Sequence, residues 1–211
     1  MAQRHETSGE KETGRLEAFS DGVFAVAITL LVVDLKVPPN SKIVPLALAL
    51  LRQWPSYLAF VTSFATILIM WVNHHSIFKL IRRIDTHLLF ANGFLLLLVT
   101  AVPFPTALVS DYLTTQPEAK TACAVYAGIF VLINIAYNLL WWEISAHRRL
   151  LKPSVSRAQI QKLTRNYALG FPLYLLAMLL AIWNAYVSIG LCFLLWIFWM
   201  LTGYEKRPLD G

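Results

Sequence analysis

The amino-acid sequence predicts an all-α integral membrane protein with six transmembrane helices per chain and both termini on the cytoplasmic side. Three observations predict it. Only 14% of the 211 residues are charged and 57% are hydrophobic, whereas a soluble domain carries about 25% charged residues. Apolar runs of about 20 residues, the length that crosses a hydrocarbon core, recur along the chain, and the mean hydropathy is +0.58. Finally, lysine and arginine alternate between dense and sparse segments, as they do between the two sides of a membrane.

Taken in order, the first helix is expected from Leu16 to Leu35. The second runs from Trp54 to about Ile77, preceded by the short apolar piece IVPLALALL, which reads as an interfacial helix on the outer side. The third runs from Asp85 to about Ser110, with VPFP around Pro103 and Pro105 kinking or ending it. The fourth spans Ala119 to Ser145. The fifth and sixth share the stretch from Tyr167 to Thr202, about 36 residues and too long for one crossing. The polar step NAYVSIG, Asn184 to Gly190, is the expected turn.

Of the 18 lysines and arginines, only Lys36, Lys42, Arg52 and Lys120 fall outside if the N-terminus is inside. The positive-inside rule therefore selects N-in, C-in and an even number of helices. The loop HRRLLKPSVSRAQIQKLTR is basic enough to lie on anionic lipid. Residues 1–14 are polar and expected to be a disordered cytoplasmic N-terminus, residues 15–203 a single membrane domain, and residues 204–211 a cytoplasmic tail. No signal peptide opens the chain, so insertion is expected to rely on the helices themselves.

The formal charge of +6 belongs to these inner loops and does not call for nucleic acid. Cys123 and Cys192 sit in apolar runs and suggest neither a disulfide nor a metal. His74, His75, Asp85 and His87 gather at the inner surface, but adjacent histidines point about 100° apart on a helix and do not chelate together. No metal and no cofactor is expected. No nucleophile–base pair, glycine-rich phosphate loop or nucleotide motif occurs, so no enzyme is expected. Asn134 and Asn138, on one face of the fourth helix, are expected to bond across helices. Trp141 and Trp142, beside Glu143, read as interfacial belt residues.

The first helix has two faces. At 100° per residue, Arg15, Phe19, Gly22, Val26, Thr29 and Val33 form one stripe with Leu30 at its edge. Ser20 and Asp21 lie on another side. A carboxylate one turn inside the membrane needs a partner, or else serves as an interfacial cap that favours the helix dipole. Partners at the same depth stand at the inner end of the second helix: Trp71, Asn73, His74 and His75. The Val26–Leu30–Val33 stripe reads from the residues alone as ordinary helix packing, in which Thr29 bonds a carbonyl one turn back.

The spacing Arg-x-x-x-Phe-Ser-Asp, here Arg15, Phe19, Ser20 and Asp21, opens an apolar spanning helix. It resembles the family of the lysosomal and endosomal potassium channel called transmembrane protein 175, in particular its short prokaryotic members. The resemblance implies a homotetramer, four first helices lining a central pore, potassium as the permeant ion and the cell membrane as the location. It implies a constriction at the positions five, nine and twelve residues after the motif aspartate, which are Val26, Leu30 and Val33, with Thr29 as a hydroxyl layer between them. Where family members often carry isoleucine or leucine, this chain has Val26 and Val33. No TVGYG-like filter occurs. An ion crossing apolar rings sheds water with little replacement, and potassium holds its water less tightly than sodium, so modest potassium selectivity is expected. A secondary transporter is the alternative. No glycine or proline breaks the middle of the first helix and no inverted repeat is evident, which speaks against it.

Overall fold

The computed structural model describes residues 2–39 and 43–203, with side chains from Lys11 to Met200 except 40–42. The first helix, α1 (Ala2–Leu30), starts far upstream of the expected Leu16. The polar segment expected to be disordered carries helical backbone from Ala2. It contains no proline, and its Glu, Gln, Lys and Arg residues are good helix formers. At its C-terminal end α1 tightens into a 3₁₀ turn, Leu31–Asp34. Pro38 and Pro39 lie just beyond; proline cannot continue the helix, and it restricts the residue before it.

The expected interfacial piece is α2 (Leu46–Arg52). It meets α3 (Trp54–Phe78) at Gln53, and Pro55 occupies the first turn of α3, where its missing N–H goes unneeded. Asp85 caps α4 (Thr86–Ala101), its carboxylate accepting the Leu88 N–H at 3.0 Å. The expected break at VPFP lies at Val102, and α5 (Pro103–Tyr112) continues the same crossing. Pro103 and Pro105 remove two helical donors, and Val102 N–H bonds Val99 O in a tighter turn. α6 (Glu118–Ala146) follows as expected.

α7 (Arg157–Trp183) begins ten residues before the expected Tyr167. A reciprocal capping box starts it there: Ser156 Oγ accepts from Gln159 N–H and the Gln159 side chain accepts from Ser156 N–H. Half of the segment expected as a basic loop is therefore helix. The turn to α8 (Ala185–Gly203) is confined to Asn184, extended at φ −150° and ψ 116°. Its Oδ1 accepts from Tyr186 and Val187 N–H, capping α8, so Ala185 to Gly190 is helical and not turn.

Five segments are long and apolar enough to cross a membrane, with α8 a shorter apolar helix beside them. Among the described residues there is no strand beyond an isolated bridge between Ile81 and Leu151. The chain is a multi-pass membrane protein. The tail 204–211, with Lys206 and Arg207, lies outside the described residues.

α6 stands at the centre, packed on α4, α5, α7 and α8. Its Ala119, Ala122, Cys123 and Ala127 are buried, letting neighbouring backbones approach closely. Asn134 and Asn138 do bond across helices, each donating to Tyr167 O of α7. A Cβ at Gly170 would run into Asn134 Nδ2, so the close approach of α7 to α6 needs glycine there. Trp141 departs from the expected belt: it is buried and donates to Thr164 Oγ1 at 2.8 Å, while Trp142 is exposed.

The two basic loops meet at one end. Arg82 N–H bonds Leu150 O at 2.8 Å and Lys152 N–H bonds Leu80 O at 2.9 Å. Arg149 pairs with Asp85 at 3.1 Å. The Leu88 N–H, followed by Arg149, holds the Asp85 carboxyl below its usual range.

Candidate functional site

α1 packs on α3 and α4 and leaves its remaining surface uncovered. Its covered side carries Ser20, Phe24, Ala27 and Leu31, all at most 1% exposed. The N-terminal part of this side is fastened by polar contacts. Ser20 Oγ donates to Leu16 O at 2.9 Å and accepts from Asn92 Nδ2 at 3.0 Å. Asn92 Oδ1 is 2.8 Å from His74 Nε2. The asparagine amide nitrogen is committed to Ser20, so its oxygen is the acceptor and His74 Nε2 carries the proton. His74 Nδ1 is then the bare nitrogen, buried and without a hydrogen-bond partner among the described residues. The ring is held between Phe78, stacked at 4.3 Å, and Phe24 at 5.3 Å.

A second set of contacts flanks the first. Trp71 Nε1 donates to Asp21 Oδ1 at 2.8 Å. One turn closer to the N-terminus of α1, His75 Nδ1 meets Glu17 Oε1 at 2.6 Å. Trp71 and His75 stack on each other at 6.0 Å and 14°. The two acids are four residues apart on α1 and their partners four apart on α3, which is the register of antiparallel helices joined by matching turns.

Of the expected cluster, Ser20, Asp21, Trp71, His74 and His75 come together. Arg15 does not join it: it is exposed at the foot of the uncovered stripe. Asn73 lines a cavity bounded by α3, α6, α7 and α8 instead. Glu17 and Asn92 belong to the network and were not expected. Glu17 was legible as the acid one turn before Asp21. Asn92 was legible as a lone amide in the apolar run HLLFANGFLLLL.

The opposite face of α1 is the stripe of Phe19 (65% exposed), Val26 (55%), Leu30 (45%) and Val33 (71%). Ala18, Gly22, Ala25 and Thr29 run beside it, all exposed, and a Cβ at Gly22 would meet nothing within 4 Å. Small residues at this spacing mark the surface by which membrane helices approach one another. The Thr29 hydroxyl donates to Val26 O at 2.9 Å. Its proton is used within the helix, and its lone pairs remain for a ligand that needs acceptors. The 3₁₀ turn also shapes the stripe. Residues three apart eclipse in a 3₁₀ helix, so Val33 returns directly over Leu30, where an α-helix would have carried it some 60° aside.

Beyond the 3₁₀ turn, Lys36 reaches Asp111 of α5 at 3.3 Å, an exposed pair that contributes little.

Residues 15–103 match the family described as the endosomal/lysosomal potassium channel TMEM175. That match starts at Arg15, the first residue of the motif, and ends at the kink after α4. A potassium channel of Chamaesiphon minutus is 50% identical over 198 residues, 93% of this chain and 97% of that protein. The chain belongs to the TMEM175 family. A potassium channel of Streptomyces collinus is 41% identical, over 94% of this chain and 95% of that one. The crystal structure of the Chamaesiphon minutus TMEM175 homolog, described as a lysosomal potassium-selective channel homolog, superposes with a TM-score of 0.85 at 49% identity, covering 92% of this chain and 100% of that one. The fold is therefore the TMEM175 channel fold, and the agreement extends past the motif to nearly the whole chain.

Proposed function

We propose that the protein is a channel that conducts potassium in preference to sodium, assembled from four copies with α1 of each copy lining a central pore. The observation that carries the reading is the division of α1. One face is held by α3 and α4, while the face bearing Val26, Thr29, Leu30 and Val33 is left without cover by its own chain. A lipid-facing surface has no use for a threonine with outward lone pairs beside a row of small residues. Four such faces meeting on an axis use both. The two relatives named as potassium channels support the ion assigned.

In this reading α8 is the sixth crossing, both termini are cytoplasmic and the protein resides in the cell membrane. Residues 15–203 are the conducting domain, flanked by a cytoplasmic N-terminal segment and the 204–211 tail. Rings of Val26, Leu30 and Val33 strip water from a passing ion, and Thr29 oxygens return part of its coordination. Potassium, the more weakly hydrated ion, passes at lower free energy. The stacking of Val33 over Leu30 makes these two rings one continuous apolar sleeve. The same sleeve closes by dewetting. No chemistry is performed on a substrate, so no cofactor is needed.

The test is the reversal potential of purified protein in a planar bilayer, potassium on one side and sodium on the other. Unitary currents that reverse toward the potassium equilibrium potential, from a protein whose mass is that of four chains, are expected. Reversal near zero overturns the selectivity. A folded assembly that instead accumulates a solute against its gradient overturns the channel.

A further inference from the structure

The cavity that takes Asn73 away from the α1 network measures about 660 Å³, within the roughly 300–1,000 Å³ range of ligand sites. It is not the pore: α1 contributes nothing to its lining. Its interior wall is mostly apolar, with Ile69, Phe130, Ile133 and Trp196, and also carries the polar Thr66 and Asn134. Its mouth is polar and basic, with Lys79 after the end of α3 and Lys162 in the second turn of α7, beside Asn73 and Asn166. From Lys162 to Tyr174 the lining climbs twelve residues of α7, about 18 Å of rise. One leaflet of hydrocarbon is about 15 Å. The cavity therefore has the length of one acyl chain, with cations where a headgroup would sit.

We propose that this cavity holds one acyl chain of an anionic phospholipid from the cytoplasmic leaflet, with the phosphate between Lys79 and Lys162. The assignment to that leaflet rests on the orientation proposed above. Charge complementarity selects the occupant. The mouth opens toward the end where Arg82, Arg83, Arg148, Arg149 and Lys152 are gathered by the paired loops, so the surrounding field draws anionic headgroups and not zwitterionic ones. Within the wall, the indole N–H of Trp196 has no acceptor among the described residues, and the ester oxygens of a lipid are acceptors. His75 lines the same cavity and bonds Glu17 of α1 on its other side, so occupancy is one residue removed from the pore helix.

Native mass spectrometry of the purified protein tests this, with phosphatidylglycerol and phosphatidylcholine of matched acyl chains added in equal amounts. The expected result is one phosphatidylglycerol retained per chain, with roughly thirtyfold preference over phosphatidylcholine, the scale set by two lysines acting on one anionic headgroup. Lys79→Glu with Lys162→Glu should bring the preference to about one. Ser76→Trp, which narrows the cavity from an exposed lining position, should reduce retention of phosphatidylglycerol while leaving both lysines in place. Equal retention of the two lipids by the unaltered protein overturns the proposal, as does a preference that survives both variants. Displacement of the lipid by millimolar inorganic phosphate also overturns it, since the acyl chain would then contribute nothing. The same spectra report the number of chains. An assembly that is not tetrameric but keeps the lipid preference overturns the channel reading alone, and a tetramer without the preference overturns this one alone.

Discussion

The two faces of α1 contrast within a single helix. On the covered face the polar groups are paired atom to atom: Ser20 to Asn92, Asn92 to His74, Asp21 to Trp71, Glu17 to His75. On the uncovered face the stripe from Phe19 to Val33 touches little of its own chain. The covered face is specified by geometry, since each partner is a particular atom at hydrogen-bond distance. The uncovered face is specified by size, hydrophobicity and spacing, which acquire meaning only when copies meet. Substitutions on the first should change stability and leave ion preference alone, and those on the second the reverse.

The largest effect expected is on the covered face. Asn92→Leu removes the partner of His74 Nε2–H and leaves both ring nitrogens buried without a bond. A loss of about 2 kcal/mol is expected, read as a lower midpoint in thermal unfolding of the detergent-purified protein, with an unchanged potassium-to-sodium permeability ratio in the surviving channels. A shifted ratio with intact stability would erase the division between the faces.

Next comes the uncovered face. Leu30→Asn, and in the same way Val26→Asn, should wet the constriction, raise conductance and reduce the permeability ratio by roughly tenfold or to unity, a change on the order of 1.4 kcal/mol. The unfolding midpoint should hardly move, because Leu30 is 45% exposed within the chain. Ratios unchanged in both variants would move the pore lining elsewhere.

A smaller effect sharpens the contrast. Trp71→Phe keeps the ring and removes the donor to Asp21, for about 0.6 kcal/mol, the usual scale of an interhelical hydrogen bond in a membrane. Asp21→Ala should cost a similar amount and affect assembly before permeation. A folded oligomer with altered selectivity in Asp21→Ala would place that carboxylate in the ion path.

The smallest effect lies at the start of α4, away from both faces. Asp85 is held below its usual range by the Leu88 N–H and Arg149. A depressed carboxylate contributes stability above its unfolded pKa of about 3.9, and that contribution is lost as pH falls through the lower folded value. The midpoint difference between the protein and Asp85→Asn should stay flat from pH 7 to 5 and shrink only below about pH 4. A difference that fades near pH 6 would point to a histidine instead.

Much of this was legible beforehand. Run lengths placed α3, α4 with α5, and α6 within a few residues, because hydrophobic length is a property of the chain alone. The motif located the polar mouth of α1, and periodicity separated its stripe from Asp21. The start of α7 was missed because a capping box at Ser156 and Gln159 outweighs the polarity that made the segment read as loop. Asn92 was missed because a lone amide names no partner; three helices had to converge before it linked Ser20 to His74.

What the sequence determined by itself is the all-helical membrane character, the motif from Arg15 to Asp21 and the apolar stripe that follows. Composition and period are local, and water and lipid sort them without reference to the fold. The tertiary structure alone decided that Arg15 and Asn73 stay outside the α1 network, that His74 carries its proton on Nε2, and that the 3₁₀ turn stacks Val33 over Leu30. It also opened the basic-mouthed cavity between α3 and α7. Each of these depends on which side chains from distant segments reach the same few ångströms, and hydrogen bonds and voids exist only at that distance.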